Sequence, residues 1–308
     1  MIFSTTVLGT ASAIPSSKRN PPSQIVHIHS HTFLVDCGEG TQIQMRRNHI
    51  RLSKINHIFI SHLHADHVLG ILGLLSTYAL LGRVNSLHIY ANERLEELIK
   101  YHQEFFNNKF SYEIIFHPLI PDVDGVIFED DKLFVKAFPL KHSVPSHGFL
   151  FAEKKRLRKI DKSKISFYSI PVSKIKEIKE GADFVTEQGQ LIRNKDLTFD
   201  VPRERSYAYC SDTAYFDKII QYIKGVDILY HESTFCNEDL KRAYQTQHST
   251  SEQAARIAQK ANVGRLLLGH FSTRYKNLDT MLDEALKVFK NTEIAKEKEV
   301  YTIEEQNN

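Results

Sequence analysis

The sequence predicts an α/β (α+β) layered fold, and three observations carry that prediction. Short apolar runs alternate with amphipathic segments along almost the whole chain, as strands interleaved with helices do. Hydrophobic residues make up 42% and charged residues 25%, close to the average of soluble globular domains and far from disordered or collagen-like compositions. The 308 residues carry no internal repeat, low-complexity tract or Pro/Gly/Ser linker that would mark a second globular unit.

The elements follow in order. Strands are expected at residues 2–8, 24–28 (Ile25, Val26, Ile28), 32–36 (Phe33, Leu34, Val35), 57–61 (Ile58, Phe59, Ile60) and 87–90. Others are expected at 132–138, 207–210, 228–230 and 265–268, each a short β-branched, aromatic or leucine run. Helices are expected at 66–80 (Ile71, Leu74, Leu75, Tyr78), 92–106 (Leu95, Leu98, Ile99) and 213–222. Two more are expected at 251–261 (Ala254, Ala255, Ala258) and 278–289 (Met281, Leu282, Ala285), all with apolar residues three and four apart. Thr250-Ser251-Glu252-Gln253 reads as a capping box, which puts His248 just ahead of a helix start.

No apolar stretch reaches the roughly 18 to 20 residues that span a bilayer, and the first residues lack the basic start of a signal peptide. The expectation is a cytoplasmic protein with no membrane partner. Cys37, Cys210 and Cys236 are odd in number and form no CxxC pair, which fits reduced thiols with no disulfide partner and argues against a cysteine zinc site. Charge is segregated: residues 152–181 hold ten Lys or Arg against four acids on a chain whose formal net charge is only +3. Such a basic arm suits a polyanion, although a lone basic run is as often a solvated surface insertion.

The 16 histidines demand an explanation, and one motif supplies it. An apolar strand runs into His62-x-His64-x-Asp66-His67. Residues i and i+2 leaving a strand point to the same side, so His62 and His64 can meet one metal while Asp66 and His67 turn towards a second. Imidazole and carboxylate donors suit Zn(II), and also Mn(II) or Fe(II). Single residues at later strand ends complete the set: His142, Asp212 and His270. Any one of them alone is more often an ordinary residue; their shared position favours ligation. His27, His29, His88 and His117 lie in or beside strand runs and read as structural or surface residues.

The loop with its later His, Asp and His resembles the metallo-β-lactamase superfamily. That resemblance implies a four-layer αββα sandwich, one domain over residues 1–308 with the basic arm inserted at 152–195. It also implies two metals per subunit: His62, His64 and His142 on one, Asp66, His67 and His270 on the other, Asp212 bridging. Within the superfamily, Ser61 to His67 followed by Gly70 and Leu72-Gly73-Leu74-Leu75 is similar to the ribonuclease Z family of tRNA 3′-processing endoribonucleases. Leu8-Gly9-Thr10, Arg19-Asn20, the segment from Asp36 to Gln42, Ser211-Asp212-Thr213, His231-Glu232-Ser233-Thr234-Phe235, His248-Ser249-Thr250 and Ser272-Thr273-Arg274-Tyr275 agree with it. Two departures stand out: Ser211 replaces the usual glycine, and Ile170-Pro171-Val172-Ser173 with Gly181 only partly echoes the family's arm.

The resemblance implies a zinc-dependent endoribonuclease that removes the 3′ trailer of precursor tRNA. Metal hydroxide, oriented by Asp66, would attack phosphorus and leave a 3′-hydroxyl on the tRNA and a 5′-phosphate on the trailer. His248, held by Glu232, is the expected general acid. Arg274 is a candidate phosphate clamp, and Lys154, Lys155, Arg156 and Arg158 are candidate tRNA contacts in the arm. A homodimer, with each arm serving the partner's site, is implied by the family alone. Two rivals are a same-fold phosphodiesterase, lactonase or arylsulfatase acting on a small molecule, and a metal-stabilised RNA-binding protein without turnover. The tail from residue 291 onwards gives no functional signal.

Overall fold

Side-chain alternation along the strands sets the layering. In Ser206–Cys210, Tyr207 and Tyr209 enter one core and Ala208 and Cys210 another. In Arg265–Gly269, Leu267 joins the first core and Leu266 and Leu268 the second. A strand buried on both faces has to lie in an inner layer. The computed structural model, which describes residues 2–306, contains two such seven-stranded sheets.

The first sheet runs Val300–Thr302, Phe3–Gly9, Ser23–Ile28, His31–Val35, Ile55–Phe59, Leu87–Ala91, Ile114–Pro118. The second runs Thr292–Ile294, Arg265–Gly269, Ile228–Glu232, Ser206–Cys210, Ser146–Glu153, Leu133–Leu140, Gly125–Glu129. Between them lies a core rich in Phe33, Phe59, Phe149, Phe151, Tyr207 and Tyr230, each such side chain stabilising the fold by roughly 1.5–3 kcal/mol when taken from water. With no Trp in the chain, Phe and Tyr fill this space; Phe59 stacks on Tyr90 at 4.5 Å. Outside the first sheet pack the helices Gly70–Leu80 and Arg94–Phe105 through Ile71, Leu74, Leu75, Leu95 and Ile99. Outside the second pack Ser251–Ala261 and Asp279–Val288 through Ala254, Ala258, Met281 and Ala285. The result is the αββα sandwich.

Ser251–Ala261 begins where expected: Thr250 accepts the Gln253 N–H, and the Gln253 side chain accepts from Thr250 N. The expected helix 213–222 is corrected: only Asp217–Ile219, a 3₁₀ turn, and Ile220–Ile223 are helical. Thr213 N donates to Glu232 Oε1 and Ala214 N to Lys141 O, which ties this start of the segment to the ends of neighbouring strands. The helix expected at 66–80 divides into Ala65–Val68 and Gly70–Leu80. A Cβ on Gly70 would lie 2.0 Å from Gly38 O, and glycine there lets the 36–42 loop press against the ligand-bearing turn.

The tail, which carries no functional signal in the sequence, builds the sandwich. Thr292–Ile294 and Val300–Thr302 close one edge of each sheet, and Ile303 O accepts from the buried Arg205 Nη1 at 2.8 Å. Arg205 pairs with Glu153 at 2.8 Å, which also contacts Arg156 and His29. Arg205 and Glu153 flank the residues between the second-sheet strands Ser146–Glu153 and Ser206–Cys210. Those intervening residues form a small cluster of their own around Ile170, Ile178, Phe184, Ile192 and Leu197, with helices Lys162–Phe167 and Val172–Glu180. Cys37, Cys210 and Cys236 are free and buried. Among the described residues no helix is long and apolar enough to cross a membrane.

Candidate metal centre and active site

Every proposed ligand sits just past the end of a strand, where side chains can converge on the mouth between the sheets. His62, His64, Asp66 and His67 follow Ile55–Phe59, His142 follows Leu133–Leu140, Asp212 follows Ser206–Cys210, and His270 follows Arg265–Gly269. His270 and Asp36 both hold positive φ, 59° and 54°, a backbone state uncommon outside glycine and retained where the surroundings enforce it.

The seven side chains form two donor sets that share one carboxylate. In the first, His64 Nδ1 lies 3.1 Å from His62 Nε2 and 3.2 Å from His142 Nε2. Asp212 Oδ2 is 3.6 Å from His62 Nε2 and 3.7 Å from His142 Nε2. In the second, Asp66 Oδ2 lies 3.5 Å from His67 Nε2 and 3.6 Å from His270 Nε2. Asp212 Oδ1 is 3.4 Å from His67 Nε2 and 3.1 Å from His270 Nε2. Four donors each 2.0–2.1 Å from a tetrahedral metal stand about 3.3–3.4 Å apart, so both sets have the spacing of ligands around an ion. His67 Nε2 and His270 Nε2 are buried without a hydrogen-bond partner, which is costly unless a cation occupies the space between them. The residues present fit a divalent pair.

A second ring of groups orients the ligands. Asp36, fully buried, accepts from His67 Nδ1 at 2.8 Å, Ser61 N at 2.7 Å, Ser61 Oγ at 2.9 Å and Tyr209 OH at 2.7 Å. His142 Nδ1 donates to Gln247 O at 3.0 Å, and His270 Nδ1 meets Thr234 Oγ1 at 3.0 Å. Such contacts fix the tautomer and leave the other ring nitrogen free to coordinate. Ala13 N donates to Asp66 Oδ2 at 2.8 Å. The sequence reasoning gave none of these groups a role, although Asp36 and Thr234 lie in segments it had singled out.

His248 stands at the rim, its ring 5.1 Å from that of His142 and 5.5 Å from that of His270. Its Nδ1 contacts Glu232 Oε1 at 2.9 Å, and Glu232 is held in turn by Ser249 N, Thr213 N and the Thr234 N–H and hydroxyl. Burial would lower the His248 pKa, but the Glu232 carboxylate, with Asp212 and Asp66 behind it, outweighs burial and pushes it up to about 9. Burial likewise works against the Asp212 carboxylate, and His270, His67 and His62 still hold it well below the usual range. A rim imidazolium beside an anionic, cation-ready pocket can deliver a proton to a leaving group.

The other candidates stand apart from this cluster. Arg274 Nη1 donates to Asp239 Oδ1 at 2.9 Å, its guanidinium 5.2 Å above Phe235. Lys154 pairs with Glu129 at 3.1 Å, Arg156 with Glu153 and Glu305, and Arg158 with Asp200 at 2.6 Å. Lys155 is exposed. His29 meets Glu153, and His88 Nδ1 lies 2.9 Å from His117 Nε2.

Comparison with known proteins agrees with this geometry. Residues 3–154 match the family model of the anti-Pycsar protein Apyc1, and residues 190–271 that of the beta-lactamase superfamily domain. A ribonuclease Z of Bacteroides fragilis is 45% identical over 295 residues, covering 96% of this chain and 97% of that one. That of Phocaeicola vulgatus is 42% identical over 302 residues, covering 98% of each. Among solved structures, human tRNase Z, short form, superposes with a TM-score of 0.73 at 24% identity over 98% of this chain and 99% of that one. The metallo-β-lactamase fold protein YhfI of Bacillus subtilis superposes with a TM-score of 0.69 at 19% identity over 98% and 100%. The chain belongs to the ribonuclease Z family, endoribonucleases built on the metallo-β-lactamase fold.

Proposed function

We propose that the chain removes the 3′ trailer of precursor tRNA in the cytoplasm, using two zinc ions, with Mn(II) or Fe(II) compatible with the same donors. The observation that carries this reading is the pair of donor sets joined through Asp212, with the His248–Glu232 pair on their rim. Two divalent ions held by these donors would supply a water of lowered pKa and positive charge to balance the phosphate. Asp66 would hold the attacking water in line with the scissile P–O3′ bond. As the new P–O bond forms and P–O3′ breaks, His248 Nε2 gives its proton to O3′, while Glu232 holds Nδ1 and stabilises the imidazolium beforehand. The tRNA then ends in a 3′-hydroxyl and the trailer keeps the 5′-phosphate.

The excess of lysine and arginine in residues 152–181 supports an arm that grips the tRNA body, with salt-sensitive binding; homodimer formation belongs to the same reading. The experiment is incubation of the purified chain with a trailer-bearing precursor tRNA beside Asp66→Ala, mapping the cut and its ends. One cut leaving a 3′-hydroxyl, lost in the variant, supports the proposal. Turnover of a small phosphodiester or lactone with no cut under any metal would overturn the tRNA assignment. Because Glu153 N donates to Arg205 O at 3.0 Å, the segment between these two residues can be replaced by a short turn that keeps their buried ion pair. Loss of tRNA cleavage with retained hydrolysis of bis(p-nitrophenyl) phosphate would assign the arm to the large substrate.

A further inference from the structure

Beside His248 a groove of about 850 Å³ opens to solvent, within the roughly 300–1,000 Å³ typical of ligand sites. Its walls include Tyr215, Tyr244, Lys141 and Lys241. Tyr244 is 81% exposed, a large aromatic left without a core to fill. Neither lysine makes an ion pair among the described residues, whereas Tyr215 is fixed by Lys260 Nζ at 2.9 Å. The groove is tied to the metal site. Lys141 precedes the ligand His142, and its backbone is locked by Thr213 Oγ1 at 3.1 Å and Ala214 N at 2.7 Å. The helix Leu240–Thr246, which carries Lys241 and Tyr244, ends at Gln247, whose carbonyl orients His142. Aromatic faces beside uncommitted cations are what single-stranded nucleic acid binds, by stacking and by phosphate attraction.

Resting on the reading of His248 as the acid for O3′, we infer that this groove holds the base of the last nucleotide the tRNA retains, stacked on Tyr244. The acid must lie within hydrogen-bond reach of the leaving oxygen. The ribose bearing that oxygen therefore sits against His248, and its base enters the space continuous with that side chain. The trailer, on the far side of the phosphorus, has no claim on it. Stacking on any base face is sequence-tolerant, so the groove positions every tRNA end rather than selecting among them.

The test compares wild type, Tyr244→Ala and Tyr244→Phe on precursor tRNA, natural and with an abasic residue either at the last retained position or at the first trailer position. Tyr244→Ala is expected to lower kcat/KM on the natural substrate by roughly 5- to 100-fold, Tyr244→Phe to restore it. The alanine penalty should vanish when the last retained base is absent and persist when the first trailer base is absent. Equal rates for wild type and Tyr244→Ala, or a penalty that vanishes only with the trailer base, would overturn the inference and leave the tRNA reading standing. Failure of wild type to cut any precursor would overturn both.

Discussion

Replacing Asp36 by Asn tests the idea that a buried carboxylate, rather than the ligands alone, sets the second donor group. Three donors converge on Asp36 Oδ2, from His67, Ser61 and Tyr209, and a fourth, Ser61 N, meets Oδ1. An amide of the same shape offers one acceptor oxygen. If that oxygen takes the Oδ2 position, the new NH₂ faces Ser61 N–H; turned round, it faces three donors. Either way at least one buried donor is left opposed, at about 1–3 kcal/mol. His67 also loses the charge that favours its Nδ1–H tautomer and presents Nε2 to the ion. Loss of such a partner lowers metal affinity about 10- to 100-fold, or roughly 1.4–2.7 kcal/mol. Chelator competition should release one ion of the pair earlier than in wild type, with phosphodiester turnover falling in step and the urea midpoint shifting down. Tyr209→Phe is the control: it removes one donor to Oδ2 without touching His67, and should cost about 1 kcal/mol of stability with little change in affinity. A folded Asp36→Asn chain that binds both ions with unchanged affinity would refute the reasoning.

Further outcomes follow from the same geometry. His248→Ala should cut kcat about 10²- to 10⁴-fold with metal content unchanged, which elemental analysis beside single-turnover rates will check. Glu232 favours the imidazolium of His248, so its acidic form, and with it the rate, should persist at neutral pH and fall on the alkaline side. In Glu232→Gln that alkaline limb should move to lower pH. Stripping the ions with a chelator should lower stability by about 2.7 kcal/mol for each ion relative to protein held at a hundred times the dissociation constant, read as a drop in Tm. Glu153→Gln leaves Arg205, 2% exposed, as a buried cation without its carboxylate and should cost about 3–5 kcal/mol. Burial opposes the Glu153 carboxylate, yet the Arg205 hydrogen bonds hold its pKa down to about 2. Its contribution is therefore complete above the ordinary glutamate range and lost as pH falls towards 2, and urea titrations between pH 2 and 6 should show wild type and variant converging at the acid end.

What the sequence determined by itself was local. The two-residue spacing of His62 and His64 after an apolar strand, the capping box at Thr250 and the period-two and period-3.6 patterns follow from backbone geometry that repeats within a few residues. They were legible without any partner, and with the family resemblance they pointed to all seven donors and the His248–Glu232 pair. What only the tertiary structure decided depends on groups far apart in the chain. Asp36 becomes a support of the site because the fold brings His67, 31 positions away, against it, with Tyr209 reaching the same carboxylate from the other sheet. The expected helix at 213–222 is reduced to residues 217–223, with Thr213 and Ala214 bonded instead to Glu232 and Lys141. The tail, silent as sequence, closes both sheets because edge strands need pairing partners wherever the chain supplies them. The basic residues of the arm looked uniform, yet Arg156 is bound into the Glu153–Arg205 cluster while Lys155 faces solvent. A hydrogen bond or ion pair between distant segments leaves no periodic trace, and its energy exists only once the fold has brought the two groups together.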